Sequence, residues 1–168
     1  MPATRYVSFE QVWRSCRSGV FRNESELRQA FVEALKEELR RASCHRYIAR
    51  NWLIPALEEA LRSGRVDIRV SNLVVEVEPP GAGLAVGVER LRRCMDDVFR
   101  ESLGLVDVFG LVTDGLSAEF YVLQTGGEFA LKSRGDMPGV ARGAVAAFCS
   151  QQKIPIVRAE DLVRLFGV

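Results

Sequence analysis

Residues 65–80, Arg-Val-Asp-Ile-Arg-Val-Ser-Asn-Leu-Val-Val-Glu-Val-Glu-Pro-Pro, restrict the fold more than any other part of the chain. Their period of two predicts two short strands joined by a tight turn at Ser71-Asn72. Val66, Ile68 and Val70 share one face of the first strand, with Asp67 and Arg69 on the other. Leu73, Val75 and Val77 face inward on the second, with Val74, Glu76 and Glu78 outward. A two-residue loop sets Val70 against Leu73, and counting back sets Asp67 against Glu76. Directly opposed residues have Cβ atoms about 4.5–5.5 Å apart. Two carboxylates at that distance repel unless a cation stands between them. Removing the charge of Asp67 is therefore expected to leave the cation-free protein as stable as before, or more so. Glu78 continues the same face, with Arg65 and Arg69 nearby. The plainer alternative is a solvated outer face on which acids and arginines pair.

The second strand runs into Pro79-Pro80-Gly81-Ala82-Gly83, a stiff exit and then a flexible loop of the kind that rims binding sites. As a dinucleotide fingerprint, Gly81-x-Gly83-x-x-x-Gly87 is poor. The double proline separates it from the strand, and no later strand carries a ribose-binding acid at the right distance.

The acid pattern also resembles a known family. Asp67, eight intervening residues and Glu76-Val77-Glu78 look like the acidic motif of the PD-(D/E)XK nuclease superfamily. In that family an Asp begins one strand and an acid-x-Lys follows on the next. Here Glu78 stands at the lysine position, a Glu-x-Glu form that some restriction enzymes of the family carry, and Val66 replaces the usual proline. The segment Asn23-Glu-Ser-Glu-Leu-Arg-Gln-Ala-Phe resembles the family's first helix, which often offers a Glu to the metal site. The family normally has a strand before the one carrying the Asp, and the sequence shows no clear candidate for it.

The helices are read from caps and stripes. Ser8 caps a short helix over 9–16, which Gly19 ends. Asn23 caps a long one over 24–41, with Glu26 at the capping-box position. Its stripe is Leu27, Ala30, Phe31, Ala34, Leu35 and Leu39, a 3.6 period. Glu24 begins that stripe and should point inward, while Glu26 points aside; both also complement the helix dipole. Trp52, Leu53, Ile54, Leu57, Ala60 and Leu61 suggest another helix, with Pro55 in its first turn. A helix over 88–103 carries the stripe Val88, Leu91, Met95, Val98 and Phe99, and Arg90, Arg92, Arg93 and Arg100 elsewhere. These arginines are either a solvated face or a surface for a phosphodiester backbone, and Arg92 borders the apolar stripe as a candidate substitute cation. Residues 105–112 read as a central buried strand. A second hairpin over 119–124 and 128–132, a loop over 133–139 and helices over 140–151 and 159–166 complete the chain.

A chain of 168 residues with 48% hydrophobic content suits one globular domain. No run approaches about 18 consecutive apolar residues, which argues against a helical membrane span. Residues 1–10 contain no apolar signal segment, so a cytoplasmic location is expected. Cys16, Cys44, Cys94 and Cys149 form no C-x-x-C and are expected to be reduced, mostly buried thiols. His45 is the single histidine, which argues against Ser-His-Asp chemistry and multi-histidine metal sites. A net charge of +1 means that any DNA contact must come from a local basic patch.

The expectation is an α/β domain with a central mixed β-sheet flanked by helices, of restriction-endonuclease-like architecture. Residues 1–22 read as an N-terminal extension, 23–124 as the nuclease-like core and 125–168 as a C-terminal hairpin strand and helices. The resemblance implies a metal-dependent nuclease acting on DNA. Asp67, Glu76 and the carbonyl of Val77 would hold Mg²⁺ or Mn²⁺, Glu78 would serve the attacking water, and Glu24 would tune a second ion. Arg69, Arg92 and Arg93 are the candidate nucleic-acid contacts, and a homodimer is compatible with the sequence. The alternatives are an inactive member of the fold that binds nucleic acid or acts as a scaffold, and a structural domain whose acids are surface charge.

Overall fold

The computed structural model describes residues 5–44, 56–61 and 64–151. The elements run α1 (Phe9–Arg17), α2 (Glu24–Leu39), a π-helical turn (Arg40–Cys44), β1 (Ala56–Leu61), β2 (Gly64–Val70), β3 (Leu73–Val77), α3 (Ala85–Glu101), β4 (Val108–Thr113), β5 (Ser117–Leu123), β6 (Phe129–Asp136) and α4 (Met137–Gln151). The six strands form one sheet in the order β1-β2-β3-β4-β5-β6. Only β3 and β4 are parallel, so the connection between them must cross over the sheet, and α3 is that crossover.

The caps expected from sequence are present. Gln11 N donates to Ser8 Oγ at 3.3 Å, and Glu26 N to Asn23 Oδ1 at 2.9 Å. Gly19 adopts the left-handed φ of +72° that ends α1. All six residues of the α2 stripe are buried.

Two apolar layers sandwich the sheet. Ile68, Val70, Leu73, Val75, Val77, Phe109, Leu111, Phe120 and Val122 pack on the side of α1, α2 and α4. Phe9 of α1 stacks on Phe31 of α2 at 5.1 Å, so the expected N-terminal extension belongs to the same core. Val66, Val74, Val108, Val112, Tyr121 and Leu123 pack on the opposite side against Leu91, Cys94, Met95 and Val98 of α3. Gly110 of β4 allows that contact, since a Cβ there would lie 2.2 Å from Met95 Sδ. The result is an α/β domain built on a mixed sheet flanked by helices.

Four expectations need correction. Ala56–Leu61, expected within a helix, is the edge strand β1, paired from Ala56↔Arg69 to Leu61↔Gly64. Its residues suit either state, and pairing with the open edge of β2 outweighs the weak helical preference. The start of that expected helix, and the last helix over 159–166, lie outside the described residues. The expected loop over 133–139 is absent: β6 continues to Asp136 and α4 begins at Met137, with Pro138 in its first turn. The helix α3 begins at Ala85, three residues early, where the Gly83 turn releases the chain. Finally, Cys16 and Cys94 are free thiols, whereas Cys149 is in a disulfide and not reduced. No spacing rule marks that pairing, which depends on tertiary proximity.

Candidate active site

The β2–β3 turn carries Ser71 at a φ of +54° and is anchored by Asn72, whose O accepts from Phe109 N at 2.8 Å. Its register is the expected one: Val70↔Leu73, Arg69↔Val74 and Ile68↔Val75. The paired positions end there. Asp67 Oδ2 takes the Val77 N–H at 2.8 Å, and Val66 packs on the α3 side rather than with Ile68. Asp67 and Glu76 are brought together, and their carboxyls share a hydrogen bond.

The outer face of this hairpin is closed by α3. Glu76 is consequently 1% exposed and Glu78 6%. Burial first, then the charge of Asp67, pushes the Glu76 carboxyl up to about 8. At neutral pH it therefore keeps a proton, and that proton relieves the repulsion between the opposed acids. On its other side the Cys94 thiol lies 3.6 Å from Glu76 Oε1. Burial, then Glu76, raises that thiol to about 12, so it stays protonated and inert.

Glu78 leaves β3 with its N–H on Thr113 O at 2.8 Å. Its Oε1 receives Arg90 Nη2 at 2.5 Å. Gly87 makes this possible: a Cβ there would fall 2.5 Å from Glu78 Oε1 and 2.7 Å from Val112 Cγ2. The glycine loop thus serves close packing of α3 on the acids. It is pinned by Asp114, whose Oδ2 accepts from Gly83 N at 2.9 Å while its O accepts from Gly81 N at 3.0 Å.

Glu24 turns toward the cluster, as its place in the stripe predicts. Its carboxyl is raised by burial and then by Asp67, against the lowering effect of Arg90. Glu26 instead reaches back to the N–H of Arg22 at 3.0 Å. One turn after Glu24, Arg28 Nη1 lies 4.0 Å from Glu24 Oε1 and 3.5 Å from Asp67 Oδ1.

The three proposed DNA-contact arginines fare differently. Arg69 is 6% exposed and bonds Glu101 Oε2 at 2.7 Å and Ser71 O at 2.9 Å, contacts that tie it into the fold. Arg92 lies over the Phe129 ring at 4.8 Å, and the arginine that meets Glu78 is Arg90. Arg93 is exposed on α3. Sequence reasoning missed Arg28 and Asp114 and listed Arg90 only as part of a basic face. For Arg28 the signal was its i,i+4 spacing from Glu24.

The donor set is carboxylate oxygen, which suits a hard divalent cation such as Mg²⁺ or Mn²⁺. Among the described residues no three acids, cysteines or histidines are grouped to hold an ion as they stand. Loading would therefore require the side chains around Asp67 to rearrange and Glu76 to give up its proton. Compared with family models, characterised proteins and solved structures, the chain matches none.

Proposed function

We propose that the protein is a phosphodiester hydrolase of the PD-(D/E)XK type, with restriction-endonuclease-like architecture, that uses Mg²⁺ or Mn²⁺ and acts on DNA. The observation carrying this reading is that Asp67 and Glu76, from adjoining strands, share a hydrogen bond, while Glu24 of α2 lies near enough to feel the charges of Asp67 and of Glu78 just beyond β3. β1 supports it, since it occupies the place of the strand that the family has before its Asp-bearing one. With all four acids ionised, they outnumber Arg28 and Arg90 by two charges, which one divalent cation balances.

The ion, held by Asp67, Glu76 and the Val77 carbonyl, would supply Lewis-acid polarisation of phosphate and a more acidic water. Glu78 would orient that water or take its proton. Arg90 brings a cation to position 78, where the family carries its lysine. Glu24 adds the fourth carboxylate, and Arg92 and Arg93 on the outer side of α3 offer contacts to the DNA backbone.

The second reading is a member of the same fold that binds nucleic acid without cutting it. It is favoured by one observation: Arg28 and Arg90 already pair Asp67 and Glu78. Incubation of supercoiled plasmid with purified protein and Mg²⁺ or Mn²⁺ separates the two. Nicking that Asp67→Asn abolishes supports the hydrolase. DNA retention without nicking, identical in Asp67→Asn, supports the binding protein.

A further inference from the structure

We propose that the disulfide at Cys149 is a reversible redox latch: oxidised, it fastens the end of α4 to the rest of the fold, and reduced, it leaves α4 docked by packing alone. The latch is independent of the acid cluster.

Cys149 is disulfide-bonded, whereas Cys16 and Cys94 are free. The sequence has four cysteines, so the count leaves Cys44 as the partner. Cys44 ends the π-helical turn that follows α2, and α4 packs against that turn and against α2. All six strands lie between the two cysteines in the sequence. A cross-link over so long a loop chiefly constrains the unfolded chain. Opening it therefore lowers stability without removing a native packing contact.

Other contacts hold α4 in place. Met137 N donates to Leu116 O at 2.9 Å at the start of the helix. Ala144, Val145 and Phe148 are buried, and Phe148 meets the Phe109 ring of β4 edge-on at 6.0 Å. Reduction leaves these contacts intact, so the helix stays seated and the bridge is free to re-form.

The bridge is reachable and has one way to open. Cys149 is half-buried, with Ser150 and Gln151 exposed beside it. Exchange within the molecule is blocked. Burial, then the charge of Asp114, raises the Cys16 thiol, and that of Cys94 stands at about 12. Neither supplies the thiolate that attacks a disulfide. A small monothiol from solution is then the reductant. Its thiolate attacks one sulfur of the bridge, forms a mixed disulfide and frees one cysteine. A second monothiol attacks the mixed disulfide and frees the other. Two electrons and two protons pass to the protein, and the two monothiols leave as one disulfide.

The test equilibrates the full chain in glutathione buffers from oxidising to reducing, alkylates it in denaturant and counts thiols by intact mass. Two thiols are expected at the oxidising end and four at the reducing end, with the change reversed on return. A digest of the oxidised form should contain one linked peptide, joining Cys149 to Cys44. Near-UV circular dichroism should be the same at both ends, while the reduced form melts lower by about 5 °C or more. Cys149→Ser should melt at the reduced value in every buffer. Four thiols at the oxidising end, or a linked peptide joining Cys149 to Cys16 or Cys94, would overturn the pairing and the latch with it. A bridge that stays closed in the folded protein at the reducing end is a fixed staple and no latch. Loss of the near-UV signal on reduction, or an unchanged melting temperature, also overturns the proposal. Should Cys149→Ser fail to fold, the thiol count and melting of the wild type decide the matter.

Discussion

The Glu76 carboxyl is hydrogen-bonded to that of Asp67 across the β2–β3 step, beneath a helix that leaves Glu76 1% exposed. Acids that would repel at a surface are here hydrogen-bonded, with Glu76 buried and its carboxyl raised toward the neutral form. The first consequence concerns pH. The folded-state value of Glu76, about 8, lies above its ordinary 4.5. Between those values the folded chain holds a proton that the unfolded chain releases, so stability falls as pH rises through this window and levels off above it. The expected slope is about 1.4 kcal/mol per pH unit from this group. Urea denaturation of metal-free protein from pH 4.5 to 9 measures it. Glu76→Gln should flatten that slope, and an unchanged slope would assign the effect elsewhere.

Asp67→Asn bears on the same pair. From sequence, removing this charge is expected to relieve repulsion and leave stability level or higher. The structure reverses that expectation. Asp67 accepts from Val77 N and pairs with Arg28, and its neighbour Glu76 is already raised toward neutrality. Loss of a hydrogen bond to a charged group leads us to expect a loss of about 1.5–3 kcal/mol. Thermal denaturation in chelator-treated buffer checks the sign.

Glu78→Lys tests what occupies the lysine position. Sequence alone expects this change to retain or raise activity, since it restores the commoner motif. In the structure the new ammonium would face Arg90 in a position 6% exposed. The cost is expected toward the low end of about 3–5 kcal/mol, because Arg90 itself is partly exposed. Glu78→Lys combined with Arg90→Glu should recover at least half of it, and a double-mutant cycle with no coupling would contradict the pairing.

Asp114→Ala removes an acceptor used by three backbone N–H groups, those of Gly83, Leu116 and Ser117. Asp114 is 4% exposed, so water does not readily replace it. We expect a loss of about 2–4 kcal/mol, from more than one donor left without a partner. Plasmid nicking should fall as well, because the loop that seats α3 over Glu78 is released. Chemical denaturation and the nicking assay on the same preparation read both.

Much of this arrangement is local and so was legible in the chain. A two-residue turn determines the register from Val70↔Leu73 to Ile68↔Val75, because pairing register follows from loop length, and Asp67 and Glu76 come next to those pairs. A 3.6 period determines that Glu24 and not Glu26 faces inward. Ser8, Asn23 and Gly19 set the helix ends through bonds to residues three or four away. What lies across the sheet was not legible. Which side of the hairpin meets α3 depends on the crossover between β3 and β4, and that contact turns an outward acid face into a buried one. Ala56–Leu61 became a strand because β2 offered it an open edge, a long-range pairing that local preference does not register. Arg28 and Arg90 lie 39 and 12 residues from the acids they hold, Asp67 and Glu78. Their partners, and the raised protonation of Glu76, follow from a low-dielectric interior that exists only once the layers have closed.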